Sequence, residues 1–293
     1  MSVQREPTFA LSVDVEDYYQ VQAFAAHVSR SDWDRYPSRV AENVSRLMDL
    51  FDESNAKGTF FILGWLARRH PDMVRSIAGR GHEIASHGMS HRMITELTEV
   101  EFRAEALDSR RILEDLCGAR VIGYRAPSYS VSLSTLWALE VLRETGYEYD
   151  SSIYPIGGRR YGYPGGPVVP VRMAAGKGDI AEFPLPSIPI GPFRLPVLAG
   201  AYLRLLPTWV SLAAAGYHKR RGIPLVLNVH PWEIDPDQPS VGISRAACWT
   251  HYARLGRTAG ILRRVLRSGR FATVAERLRE LEMLRPSADI ESR

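Results

Sequence analysis

Two histidines four residues apart, His87 and His91, sit on a background of small residues just after the apolar pair Ile84-Ala85. Imidazoles at that spacing return to one face if the chain between them turns helically, and two such nitrogens can hold one cation. Alone, a His-x-x-x-His pair is a weak signal. It gains weight beside a carboxylate, a second acid–base group and a scaffold that gathers them. The chain offers a carboxylate cluster at Asp14, Glu16 and Asp17, a cation at Arg125, a carboxylate at Asp150 and a further histidine at His230. A carboxylate and two histidines form a facial ligand set that leaves positions open for water and substrate. A metal held this way lowers the pKa of bound water and polarises a carbonyl. A second carboxylate could accept the water's proton, and a separate histidine could protonate the leaving group. Arg125 could keep the base ionised by charge pairing, and Asp150 could orient His230 or raise its pKa. Together these roles amount to metal-assisted amide hydrolysis.

Periodicity predicts the elements that would position these groups. Phe9 to Val13 is a short β-prone run that ends in the three carboxylates, and charges at a buried strand end must pair or coordinate a metal. A helix follows from Ser38 to Glu53, with Val40, Val44, Leu47 and Phe51 at helical spacing. Gly58 to Leu63 reads as a second buried strand, and Pro71 opens a short helix closed by Gly79 and Gly81. His82 to Ala85 is a third strand, with the histidine pair directly after it. Thr98 and Glu101 form a capping box for a helix reaching Leu116. Val121 to Tyr124 is a fourth strand leading into Arg125-Ala126-Pro127, and a helix over Ser134 to Glu144 stops at Gly146. Tyr147 to Tyr149 leads into Asp150-Ser151-Ser152, and the Gly- and Pro-rich stretch from Tyr154 to Gly178 reads as a long loop over one end of the fold. Beyond it the pattern predicts a strand over Ile180 to Leu185, a proline-rich connection and an apolar helix from Ala199 to Tyr217. A strand over Pro224 to Val229 then ends in His230. A helix from Thr258 to Arg267 and an element from Phe271 onward close the domain.

Strands alternating with helices argue for a parallel sheet, and a barrel puts its site at the C-terminal ends of its strands, where these polar residues lie. An open doubly wound sheet is the alternative, but no Gly-x-Gly-x-x-Gly follows the first strand to support a nucleotide site. The 293 residues, 45% hydrophobic and 24% charged, fit a globular chain with a sizeable core. The net charge of +4 is mildly basic, and the arginines between Arg254 and Arg270 read as a solvated helix face, so no nucleic-acid partner is expected. Cys117 and Cys248 have neither metal-ligand nor redox spacing. The N-terminus carries no apolar signal-peptide run. Arg204 and Pro207 interrupt the most membrane-like stretch, Val197 to Tyr217, so a cytoplasmic protein without a transmembrane segment is expected.

The ordered motifs resemble those of the polysaccharide deacetylase (NodB-homology, carbohydrate esterase family 4) family. They are nearest its branch of bacterial peptidoglycan deacetylase-like and allantoinase-like proteins, many associated with exopolysaccharide biosynthesis. Ser12-Val13-Asp14-Val15-Glu16-Asp17 stands for the first motif, and His87-Gly88-Met89-Ser90-His91 for the second. Arg125-Ala126-Pro127, Asp150-Ser151-Ser152 and Leu225 to His230, extended by Pro231-Trp232-Glu233, stand for the remaining three. The resemblance implies an irregular, seven-stranded (β/α) barrel: one domain over residues 1–285 with a polar tail at 286–293. It also implies N-deacetylation of an acetamido sugar or polysaccharide, with a divalent metal, zinc by expectation. By carry-over Asp14 is the base, His87 and His91 bind metal, Arg125 supports the base and His230 is the acid. Where the family has adjacent aspartates this chain has Asp-Val-Glu-Asp. Strand alternation puts Glu16 on the face of Asp14 and favours it as third ligand, whereas a strand that has already turned gives that role to Asp17. Asp17 could equally cap the turn. Gly88 replaces the Ser or Thr usual at that point.

Trp232, Tyr129 and Pro127 are the expected substrate-contacting residues, with Trp232 the pocket wall. Tyr18, Tyr19, Tyr154, Tyr161 and Tyr163 either stack on sugar or anchor loops. His27, His70, His82, His218 and His251 lack supporting context and are read as structural. The partner is then an N-acetylated sugar or oligosaccharide, with homo-oligomerisation left open. An amidohydrolase of a small cyclic amide, allantoinase-like, is the nearest alternative. A non-catalytic carbohydrate-binding barrel is another, but it would be expected to lack a base, an acid or a metal ligand, and this chain keeps all three.

Overall fold

The computed structural model describes residues 8–157, 162–241 and 245–285. The expected tail at 286–293 and Tyr161 lie outside the described residues. The chain opens with β1 (Thr8–Val15), α1 (Val40–Asp52), β2 (Thr59–Ile62), α2 (Gly64–Arg69), α3 (Pro71–Gly79) and β3 (Glu83–Ser86). It continues through α4 (Glu99–Cys117), β4 (Gly123–Tyr124), α5 (Trp137–Glu144), β5 (Tyr149–Asp150), β6 (Val171–Ala175) and β7 (Gly178–Glu182). A hairpin of β8 (Ser187–Ile190) and β9 (Phe193–Pro196) precedes α6 (Ala201–Leu205), α7 (Thr208–Arg221) and β10 (Val226–Val229). The chain ends in α8 (Arg245–Tyr252), α9 (Leu255–Leu266), β11 (Arg270–Ala272) and α10 (Val274–Glu280).

The main sheet runs β10-β1-β2-β3-β4-β5-β7-β6, and β11 pairs with the start of β1. Every pairing from β10 through β7 is parallel, and only β6 lies antiparallel, against β7. The mixed α/β, mostly parallel, single-domain architecture is thus the one the alternation predicts. Hydrogen-bond pairing among the described residues follows an open path rather than a closed ring.

Packing nevertheless curls that path. Ala10, Phe61, Ala85, Ile122, Tyr149, Ala181, Phe183 and Val226, drawn from the strands of the path β10 to β7 or the residues beside them, share one buried cluster. Phe61 of β2 and Tyr149 of β5, with two strands between them, bring their ring centroids to 6.5 Å, closer than a flat sheet would allow. Val274, Ala275 and Leu278 of α10 join the cluster, and the Val274 and Ala275 N–H groups donate to Thr59 Oγ1 (2.8 Å) and Glu83 Oε2 (3.1 Å) at the starts of β2 and β3. The N-terminal end of the interior is closed in this way. Alternate residues face the other layer: Leu11, Val13, Phe60, Ile62, Leu227 and Val229 pack with Val44, Leu47, Leu139 and Leu262 of the surrounding helices. Both sheet faces are buried, which is why the strands read as nearly continuous apolar runs.

Three local readings change. The stretch expected as a long loop contains β6, whose Val171 and Met173 alternate with exposed Arg172 and Ala174 before a tight turn at Gly176 (φ +61°). The proline-rich connection holds the β8–β9 hairpin, since prolines tolerate edge positions in a two-stranded ribbon. The expected helix over Ala199 to Tyr217 is divided into α6 and α7 at Pro207, which has no N–H to continue a helix. No helix among the described residues is long and apolar enough to cross a membrane.

The interior fixes one glycine tightly. Gly123 pairs with Tyr149, and a Cβ built on Gly123 would lie 2.2 Å from the Tyr149 ring. Gly123→Ala should therefore force that ring aside and cost roughly 1–3 kcal/mol of stability, as overpacked cores do; a lowered unfolding midpoint with retained fold would show it.

Candidate active site and metal centre

Strand period decides which side chains reach the C-terminal mouth of the interior. Ala10 faces inward, so Ser12, Asp14 and, past the strand end, Glu16 follow it on the same face. Val226 likewise puts Asn228 and His230 inward, and Ala85 leads to His87. All of these side chains are buried apart from the partly open His230.

Arg125, wholly buried, binds this face together. Its Nη1 donates to Asp14 Oδ1 (2.7 Å), Ser12 Oγ (2.8 Å) and Asn228 Oδ1 (2.7 Å); its Nε and Nη2 donate to the Ser151 carbonyl (2.8 Å) and hydroxyl (2.7 Å). Asp14 Oδ2 accepts from Asn228 Nδ2 (3.0 Å) and the Tyr129 hydroxyl (3.2 Å). Burial pushes the Asp14 carboxyl up, but the charges of Arg125, His87 and His230 outweigh it and hold the pKa below the usual range. Asp14 is an ionised carboxylate at neutral pH.

Glu16 Oε1 lies 3.2 Å from His87 Nε2 and 3.0 Å from His91 Nε2, and these three form a buried donor cluster suited to a metal ion. The turn joining the histidines is not the expected helical one. Gly88 (φ +77°) and His91 (φ +53°) are left-handed, and the Gly88 and Met89 carbonyls accept the first N–H groups of α2. A Cβ at Gly88 would also come within 3.3 Å of the Tyr124 hydroxyl, so glycine suits this departure from the family pattern. His87 Nδ1 lies 2.8 Å from the Arg125 carbonyl and must donate to it. In the neutral ring that leaves a lone pair on Nε2 facing an anionic carboxylate, a repulsive contact unless a cation or proton sits between. The donor set therefore fits a divalent metal. Burial raises the Glu16 carboxyl, yet the histidines that surround it, His91 foremost, hold it well below its ordinary pKa.

Asp17 is turned elsewhere. Its Oδ2 accepts from Ser38 Oγ (2.7 Å), Arg39 N (3.0 Å) and Val40 N (3.3 Å), so it caps the start of α1 and takes no part in the donor cluster. Burial outweighs those bonds and lifts its pKa.

His230 faces the cluster from β10, its Nε2 3.8 Å from Asp14 Oδ2 and 3.9 Å from Glu16 Oε1. Its ring stacks on Trp232 (centroids 5.3 Å apart, 24°), and Trp232 stacks in turn on His251 (4.2 Å, 19°). Burial alone would lower the His230 pKa. The Glu233 hydrogen bond and charge, aided by Glu16 and Asp14, raise it to about 9, so the ring is protonated at neutral pH. A cavity of about 460 Å³ opens over these groups, lined by Asp14, Glu16, His91, Tyr129, His230 and Trp232 among others.

Two expectations need correcting. Asp150 does not touch His230: its Oδ1 takes the Ser152 hydroxyl (2.5 Å), and the carboxylate at His230 Nδ1 is Glu233 Oε2, 3.0 Å away. Strand register explains this, because β5 is not a neighbour of β10. Pro127 is buried and does not line the cavity, where the adjacent Ser128 does. Sequence reasoning also passed over Ser12, Asn228, Glu233 and Arg204. Period two from Asp14 and His230 would have found the first two, and the spacing His230-x-x-Glu233 the third.

Asp150 instead stands directly beside Glu182 in the β5–β7 register, both fully buried. Glu182 Oε1 accepts from Ile153 N (3.0 Å), while Asp150 Oδ2 and Glu182 Oε2 have no donor. Two carboxylates side by side in a dry place cannot both ionise, and one proton shared between those two oxygens satisfies both. Burial is the main cause of the rise in Asp150 to about 6, and burial with the Asp150 charge takes Glu182 well above its ordinary value.

Residues 31–149 match the family model described as Polysaccharide deacetylase, and residues 151–279 match one described as Domain of unknown function (DUF3473). A peptidoglycan-N-acetylglucosamine deacetylase of Bacillus cereus is 33% identical over 100 residues, 34% of this chain and 36% of that protein. A peptidoglycan deacetylase of Helicobacter pylori is 30% identical over 110 residues, 38% of this chain and 36% of that protein. The chain thus spans about a third of the length of these curated relatives. In fold it resembles a putative polysaccharide deacetylase from Mycobacterium smegmatis: TM-score 0.62, 23% identity, 98% of this chain and 97% of the other covered.

Glu16→Gln should abolish stoichiometric metal binding, whereas Asp17→Asn should keep the metal and lose about 1 kcal/mol of stability as a weakened helix cap; elemental analysis and thermal melts separate the two. The Asp150–Glu182 pair favours the protonated folded state, so its stabilisation is complete below the unfolded carboxyl pKa and is lost as pH rises through about 6 and beyond. Glu182→Gln should raise the unfolding midpoint at pH 8 relative to wild type and leave it nearly unchanged at pH 4.5. Parallel pH profiles for the two proteins would contradict the shared proton.

Proposed function

We propose that this chain, whose residues 31–149 match the polysaccharide deacetylase family model, is a metal-dependent hydrolase that removes N-acetyl groups from an acetamido sugar or polysaccharide. The observation carrying this reading is the convergence, beside one cavity, of a buried Glu/His/His donor set with an aspartate paired to Arg125 and a histidine paired to Glu233. Deacetylases among the relatives support the reaction class.

Glu16, His87 and His91 would hold the metal, which we take to be zinc from the one-carboxylate, two-imidazole donor set. When bound, it supplies a Lewis acid for the amide carbonyl and makes water acidic enough to attack. Asp14 receives the water's proton; Arg125, Asn228 and Tyr129 occupy both of its oxygens and hold it ionised and still. His230 lies on the same side of the cavity with a proton to give, and transfers it to the amide nitrogen as the C–N bond breaks. Trp232 and Tyr129 form the walls against which a sugar ring would lie.

Acetate release from a panel of N-acetylated oligosaccharides tests this directly. The wild-type protein should release acetate, stop with chelator and recover with added zinc. His87→Ala should lose at least about 100-fold, since even changes one shell beyond a ligand cost 10–100-fold. A protein that binds no metal and releases no acetate across the panel would defeat the proposal.

A further inference from the structure

We infer that Glu233, locked in place by Arg204, is the positioning residue that aims His230 at the leaving nitrogen; this rests on the deacetylase reading above. Glu233 is wholly buried, and each of its oxygens has a fixed duty. Oε2 accepts from the His230 backbone N–H (3.1 Å) and faces His230 Nδ1 at 3.0 Å, while Oε1 accepts from Arg204 Nε (2.9 Å). Arg204, 1% exposed, is held by its own donation from Nη1 to the Ala253 carbonyl (2.8 Å), and its guanidinium carbon lies 5.3 Å from the centre of the Trp232 ring. Arg204 belongs to α6 and Ala253 follows α8, so two helices far apart in sequence set the carboxylate that sets the imidazole.

The consequence is chemical. With Nδ1–H held by Glu233, Nε2 is the nitrogen that exchanges protons with the cavity. In the cleavage step the water's oxygen bonds to the acyl carbon and one of its protons goes to Asp14. His230 Nε2 gives its proton to the amide nitrogen, and the C–N bond's electron pair departs with that nitrogen as the amine. The acyl product is acetic acid, which still holds water's second proton and releases it to solvent as acetate; proton return from Asp14 to His230 through solvent restores both groups. Asp150 cannot substitute, being committed to Ser152 and Glu182.

In Glu233→Gln, Arg204 Nε–H claims the amide oxygen and turns the NH₂ toward His230, forcing Nδ1 to accept; the ring is then held neutral and lacks the second proton that would make Nε2 an effective acid. The test compares an N-acetylated oligosaccharide with 4-nitrophenyl acetate, whose leaving group needs no proton. For Glu233→Gln, kcat on the oligosaccharide should fall about 100-fold, the scale of general acid catalysis, with KM, metal content and ester hydrolysis retained. Because that variant leaves a buried arginine unpaired, the double variant Glu233→Leu/Arg204→Met, with no buried charge, should show the same split. Equal losses on both substrates, or wild-type kcat on the oligosaccharide in either variant, would overturn the inference. Nitrogen-resolved NMR of the His230 ring gives a readout independent of turnover: the Nδ1–H signal should be present in wild type and absent in both variants. Wild-type protein that releases no acetate would sink the deacetylase reading, while an Nδ1–H signal persisting in the variants would sink the positioning role.

Discussion

The buried Arg125–Asp14 pair is the constraint on which the rest of the site depends. A guanidinium with no exposure is costly unless its donors are used, and Arg125 spends them on residues of β1, the segment after β5, and β10. Its carbonyl is also the acceptor that fixes the His87 ring. One side chain thus determines the ionisation of the proposed base, and its backbone determines which nitrogen of a proposed ligand faces the metal position. Removing it would leave Asp14 as an unpaired charge in a dry interior and free a ligand ring to turn. Energetically such a pair is poor evidence for stability, and the arrangement is better understood as one that specifies geometry.

That geometry needs both halves of the chain. The stretch matching the polysaccharide deacetylase model supplies His87, His91 and Arg125, but neither Asp14 nor Glu16 before it nor His230 after it. The stretch matching a domain of unknown function contributes β7, β10 and β11 to the same sheet and its side chains to the same interior cluster. It also carries His230, Trp232, Glu233 and Arg204. It is therefore a continuation of one fold, closing the wall of the cavity that the first half leaves open.

How much of this was legible in the sequence follows from what each residue type costs when buried. Charges and imidazoles at strand ends announce themselves, so Asp14, Glu16, His87, His91, Arg125 and His230 could be singled out from position alone. Ser12 and Asn228 do comparable work on the same faces but cost little to bury, so their residue types do not flag them and only their period-two spacing from Asp14 and His230 does. The Glu16–Asp17 choice was half legible: alternation favoured Glu16, but only the structure shows Asp17 bonded to the first N–H groups of α1. Strand order was not legible at all, and the Asp150 expectation failed for that reason. A list of strand-end residues says that they share a mouth, not which of them are neighbours.

The same reasoning explains why His230 takes its carboxylate from its own segment. A partner borrowed from another strand must be placed by the sheet's register, which also has to satisfy Arg125 and the metal ligands. Glu233, three residues on, reaches Nδ1 through one tight turn after β10 and is independent of that register. Its remaining freedom is rotation, and Arg204 removes it from the helical side. The site thereby separates into two rigid parts. One, built by Arg125, holds the proposed base and a proposed metal ligand; the other, built by Arg204, holds the proposed acid. They meet where His230 Nε2 comes within 3.8 Å of Asp14. The cavity opens between parts whose positions are set by different elements, so a change in the placement of one need not disturb the hydrogen bonds that hold the other.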